Sequence, residues 1–276
     1  MRSPKILMMM ALAALPVAST LTLRADDFAD KGREIFNKNQ HAVVTVQVVI
    51  KSSAPSGRSS ESKQDLTGTV VDPSGLTVLA LSSCDPSEMY RRLSPDSKVE
   101  IEVTDIKMVL EDGTELPAEI VLRDRDLDMA FIRPKTKPPG PMTSVDLSKS
   151  GPAQVLDGII VLDRLNKAAS RAYAASMDRV TAVVQKPRTF YVPGSSTGST
   201  TLGSPAFLPD GKLLGVFVMR ATSGASGSYR DNLTAIILPA EDVLKASKQA
   251  PELKPDGDKK DDAKEPSASK SAPEQK

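Results

Sequence analysis

The chain has 276 residues, 39% hydrophobic and only 4% aromatic with no Trp, enough for one large domain or two small ones. Lys and Arg number 36 against 35 Asp and Glu, so no basic field exists to gather nucleic acid, and few rings exist to stack bases or sugars. One Cys (Cys84) and one His (His41) exclude an internal disulfide, a CxxC zinc site and an HExxH metalloprotease. No metal and no cofactor is therefore expected.

Residues 1–25 read as an export signal. Arg2 and Lys5 supply a positive start, Ile6–Ala18 is apolar without a charge, and small residues lead to Ala25. The apolar run falls short of the ~20 residues a spanning helix needs, so no membrane span is expected after cleavage. The mature protein is placed in the periplasm or outside the cell; kept uncleaved, the segment is an anchor. Cleavage removes three basic residues and no acidic one, taking the formal charge from +1 to −2.

Residues 26–250 form the expected domain. Asp26–Asn39 spaces Phe28, Ile35 and Phe36 for a short amphipathic helix, and His41–Ile50 alternates Val44, Val46, Val48 and Ile50 as a half-buried strand. Lys51–Gln64 is Ser-rich with no apolar face and reads as a loop. Strands follow at Thr67–Asp72, Leu76–Leu81, Val99–Val103, Ile106–Leu110, Leu116–Leu122 and Met129–Ile132. The second half repeats the pattern at Val155–Leu162, Arg179–Gln185, Pro205–Leu208, Lys212–Val218 and Leu233–Leu238, and Glu241–Lys248 closes it with a helix. Many short, evenly spaced strands with little helix predict an all-β fold of antiparallel barrels. Residues 251–276 hold Lys, Asp, Glu, Pro, Ser and Ala with Leu253 as the one large apolar residue, too little to offset ordering entropy, so a disordered tail is expected.

Three stretches carry a resemblance. The first is Gly68-Thr-Val-Val-Asp-Pro-Ser-Gly75-Leu-Thr-Val-Leu-Ala-Leu-Ser82. The second runs from Asp112-Gly-Thr to Asp128-Met-Ala-Phe-Ile. The third is Thr200-Thr-Leu202-Gly203-Ser204-Pro205, continuing to Gly211 and Gly215. In this order they resemble trypsin-like serine proteases of the HtrA/DegP type, over about residues 40–245. The resemblance implies two antiparallel six-stranded β-barrels with short flanking helices, and no space for a PDZ domain before the charged tail.

It also implies a degenerate triad. The imidazole position falls on Ser82 and the nucleophile position on Leu202; Asp128 alone keeps the family's residue type. A serine hydroxyl is no general base near neutral pH, and an isobutyl group cannot attack a carbonyl. The oxyanion loop falls on Thr200, Thr201 and Gly203, and a β-carbon at the Thr200 position hinders the turn that aims an N–H inward. Ser204, or Ser199, is a possible stand-in nucleophile, but the one imidazole, His41, lies about 40 residues before its expected place. Cys84 reads as buried and inert.

Asp128 has a second reading, a carboxylate that binds backbone at a strand start. Asp124, Asp126 and Asp128 open like a calcium loop, yet the following Gly is missing and Lys135 stands for the closing Glu, so a turn is expected there. Gly194–Gly203 and Ala221–Gly227 lack a P-loop ending; by resemblance they border the substrate cleft, and otherwise they are surface loops. The expected function is an exported, non-catalytic homologue that binds a protein or peptide partner in the cleft between the barrels, by analogy of fold. The alternatives are a weak serine hydrolase using Ser204 or Ser82, and a structural envelope protein acting through its tail. The sequence carries no sign of oligomeric state.

Overall fold

A computed structural model describes residues 24–93, 98–194, 201–221 and 233–252. Helix α1 (Arg24–Asn39) and a single 3-10 turn lead into two barrels. The first holds β1 (Val43–Ser53), β2 (Ser59–Val70), β3 (Thr77–Ala80), β4 (Glu100–Val109), β5 (Glu115–Asp124) and β6 (Met129–Pro134). Two short helices, α2 (Leu81–Cys84) and α3 (Ser87–Leu93), sit between β3 and β4. The second barrel holds β7 (Gly158–Arg164), β8 (Tyr173–Val184), β9 (Phe190–Pro193), β10 (Pro205–Phe207), β11 (Leu213–Ala221) and β12 (Leu233–Pro239), followed by α4 (Ala240–Ser247).

Both barrels are closed and antiparallel, ordered β1-β2-β3-β6-β5-β4 and β7-β8-β9-β12-β11-β10. The second order is the first shifted by six strands. The chain thus repeats one topology without repeating a sequence, because closure asks only for alternating side chains and workable turns.

The alternation explains why several strands read as unbroken apolar runs. In β6, Ala130 and Ile132 fill the first barrel while Met129 and Phe131 face the seam between the barrels. In β7, Ile159 and Val161 fill the second barrel and Ile160 and Leu162 face the seam. Val78 of β3, Val216 and Val218 of β11 and Ile236 and Leu238 of β12 complete that shared core, which α1 caps with Ile35 and α4 with Val243 and Ala246. Strands buried on both faces leave no side for polar residues.

The structure departs from the sequence expectations at several points. Lys51–Gln64 is not a loop: β1 and β2 continue as a ribbon in register from Val43↔Thr69 to Ser53↔Ser59, turning at Gly57 with φ +79°. A polar ribbon keeps its ladder because the backbone bonds need no buried face; β4 also flanks β1 out to Ser53↔Glu100. The two runs Val99–Val103 and Ile106–Leu110 are one strand, β4, in which Thr104 is a bulge against β1. Strand β7 starts at Gly158, leaving Val155 and Leu156 exposed, with Leu156 at φ 74°. Strand β9 and helix α2 carried no signal of their own. The expected short helix starts at Arg24 rather than Asp26, running Arg24–Asn39. The calls on residues 1–23 and 253–276 lie outside the described residues. Pro251, at the start of the expected tail, is tied down: buried Arg133 donates from Nε to its carbonyl at 2.7 Å and from Nη1 to Ser74 Oγ at 2.6 Å.

Candidate functional site

Strand β3 ends at Ala80 and the chain turns at once into α2, which places Ser82 at the barrel's rim. Asp128 sits one residue before β6, at φ 55°. Left-handed backbone suits Asp better than most residues, and here several bonds hold it. Ser82 donates to the carboxylate twice, from its backbone N–H to Oδ1 at 2.7 Å and from Oγ to Oδ2 at 2.9 Å. The Met219 N–H, from β11 of the other barrel, donates to Oδ2 at 2.7 Å. The Asp128 carbonyl accepts from Leu81 N–H at 2.8 Å. Burial pushes the Asp128 carboxyl up to about 6, and these three donors only partly offset the lost hydration.

The hydroxyl and the backbone N–H of Ser82 therefore both engage the Asp128 carboxylate. The reading of Asp128 as a backbone-binding carboxylate also stands in the geometry, since two of its donors are main-chain N–H groups from different barrels.

The loop at Leu202 is packed differently. Leu202 is buried at 5% exposure, and Gly203 follows at φ +93°. Gly203 donates to Phe217 O at 2.8 Å, and its carbonyl accepts from Thr69 Oγ1, in the first barrel, at 2.7 Å. A β-carbon on Gly203 would stand 2.1 Å from the Thr67 carbonyl oxygen and 3.4 Å from Leu79 Cα. Only glycine fits there, for its backbone angle and for the approach of the two barrels.

Ser204 is wholly buried. Its Oγ lies beside the Asp163 carboxylate without a well-formed hydrogen bond of its own, and Thr201 flanks the same group. Ser204, the expected stand-in nucleophile, thus has a buried hydroxyl that the one imidazole, His41, does not reach. His41 instead packs edge-on against Tyr173, with Nδ1 at 3.0 Å from Glu111 Oε2 and 3.3 Å from Tyr173 Oη. Thr200 and Ser199 fall outside the described residues, as do most of the Gly194–Gly203 and Ala221–Gly227 stretches.

Asp163 is a member of the site that sequence reasoning passed over. It is the penultimate residue of β7, accepts from Thr67 Oγ1 at 2.5 Å, and is raised in pKa by burial against the pull of Thr67 and its own neighbours. A single acid closing the run Ile159–Leu162, which is apolar on both faces, was the available signal. Cys84 is buried as expected, and burial pushes its thiol up, so it is no nucleophile. The acidic turn is an Asx turn, with Asp124 Oδ1 accepting from the N–H of Asp126 and of Leu127. No group of three metal-ligating side chains occurs among the described residues.

A cavity of about 340 Å³ opens beside Ser82 and Asp128, between Leu127 of the first barrel and Phe190, Met219, Ile236 and Leu238 of the second. Leu202 does not line it. The structure thus joins Ser82 to Asp128, sets both against a cavity, and buries Leu202 and Ser204 away from it. A family model described as a trypsin-like peptidase domain matches residues 36–216. No curated protein matches the chain.

Proposed function

The chain belongs to the trypsin-like peptidase family, and on that footing we propose that it is an exported, non-catalytic member of the HtrA type. In this reading it binds protein or peptide segments in the cleft beside Asp128. One observation carries it: the hydrogen bond from Ser82 Oγ to Asp128 Oδ2, which sets a hydroxyl where hydrolysis needs an imidazole. Losing one triad member costs orders of magnitude in rate, and here the nucleophile position is a buried leucine as well. Export rests on the leader-like composition of residues 1–25.

A second reading has one observation in its favour. Asp128, near pKa 6, lies against Ser82 Oγ, so a carboxylate base and a hydroxyl are paired at a cavity. Against it, the carboxylate is already engaged by three donors, and a base of that strength removes a serine proton poorly.

Binding is tested with reduced, carboxymethylated α-lactalbumin, a permanently unfolded chain, by fluorescence anisotropy. Wild type binds it. Ala221→Trp, which places an indole at the cavity's edge, weakens binding about tenfold or more. Equal binding by the variant, or none by wild type, counts against the cleft.

A further inference from the structure

We infer that the cavity beside Asp128 selects segments in which an acidic side chain flanks an apolar one, the acid being received by Arg188 and Arg220. This rests on the proposed cleft binding and adds the class of segment bound.

The two walls of the cavity differ in charge. On the first barrel's wall, Asp85 is paired with Arg123 at 3.1 Å, and Glu88 meets Arg91 and, at 3.8 Å, Arg125. Those charges are largely spent on one another. On the second barrel's wall, Arg188 and Arg220 have no ion pair among the described residues. Arg220 lies over the Phe190 ring, its guanidinium carbon 4.8 Å from the centroid. A cation–π contact of this kind holds the group at the cavity's edge while its N–H donors remain able to form the fork that suits a carboxylate.

The floor between the walls is apolar. Phe190, Ile236 and Leu238 are each at least nine-tenths buried, and Met219 spends its backbone N–H on Asp128. An isobutyl or phenyl group would shed water there, while the acid beside it reaches the arginine rim. Asp126, across the cavity, has no ion-pair partner among the described residues and repels an acid placed on its side. The cavity is therefore polarised, and it orients as well as selects.

The test uses fluorescein-labelled short peptides that differ only at the two positions flanking a central leucine, which are glutamate, glutamine or lysine. Against the full chain in low salt, the glutamate peptide is expected to bind about tenfold more tightly than the glutamine peptide, with the lysine peptide weakest. The ratio shrinks as salt rises, because the rim is exposed to solvent. In a chain carrying Arg188→Gln and Arg220→Gln the ratio falls to about one while the glutamine peptide keeps its affinity. Arg188→Gln alone alters an exposed side chain that the fold does not use, and it gives an intermediate ratio.

Equal binding of glutamate and glutamine peptides by wild type overturns the acid preference and leaves cleft binding standing. A preference that survives in the double variant places the acid elsewhere and overturns the assignment. Failure of all three peptides to bind wild type, with carboxymethylated α-lactalbumin also unbound, overturns cleft binding and this inference with it.

Discussion

Two corners of the same cleft have been treated in opposite ways. Around Asp128 the polar framework persists: three donors from two barrels converge on one carboxylate beside an open cavity. Around Leu202 the loop is packed, with Leu202 and Ser204 both buried. The first corner holds a hydrogen-bonded tie between the barrels beside open space. The second offers no access. On the proposed reading, the fold has shed its chemistry and kept hydrogen bonds that also position strands.

The largest expected effect lies at the packed corner. Gly203→Ala forces a β-carbon against the Thr67 carbonyl at a left-handed backbone angle, and a loss of about 3 kcal/mol or more is expected, read by urea unfolding. A loss under about 1 kcal/mol would mean that the barrels separate readily at this contact, and the contrast between the corners would weaken.

Leu202→Ser comes next. It removes buried apolar volume and leaves a hydroxyl in a site built for packing, for a loss of about 2–4 kcal/mol. A neutral result would show that the leucine is a remnant rather than part of the seam.

The open corner gives the smallest effect, and it depends on pH. The folded pKa of Asp128, about 6, lies above its ordinary 3.8, so the folded state holds the proton more tightly than the unfolded one. Its stabilising share is present below pH ~4 and fades as pH rises through 6, by at most about 3 kcal/mol. Asp146, held down to about 2 by Ser148 and Lys149, runs the other way at lower pH, so the difference between chains is the quantity to measure. Melting temperatures of wild type minus Asp128→Asn should fall across the window from 3.8 to 6 and then level off. A flat difference would show that the carboxylate is better hydrated than its geometry implies.

Much of the fold was legible because strands buried on both faces announce themselves. The runs Met129–Ile132 and Lys212–Val218 read correctly from apolar content alone. The ribbon beyond Ile50 did not, since a two-sided polar strand has neither an apolar run nor an alternating face. At the site, spacing from Gly75 and Gly211 pointed to Ser82 and Leu202; the structure bonds Ser82 to Asp128, 46 positions away, and keeps Leu202 apart from them. Partners set by topology stayed hidden. Met219 reaches Asp128 across 91 positions through a backbone N–H, which no residue type encodes. Ser204 read as a possible stand-in nucleophile, whereas Gly203 and the bonds around it turn it inward. Arg188 and Arg220, 32 positions apart, were not singled out from the sequence; the cavity brings them together.

The claim that chemistry has been lost while the framework remains is tested most directly by labelling the full chain with a biotinylated fluorophosphonate across a range of pH, with casein cleavage in parallel. Ser82→Ala and Ser204→Ala chains run beside it, and trypsin serves as the positive control. The expected result is no label above that of the heat-denatured chain and no turnover of casein. A label on wild type that disappears in either serine variant would contradict the account and make this chain a hydrolase with Asp128, or a base not yet seen, behind its serine.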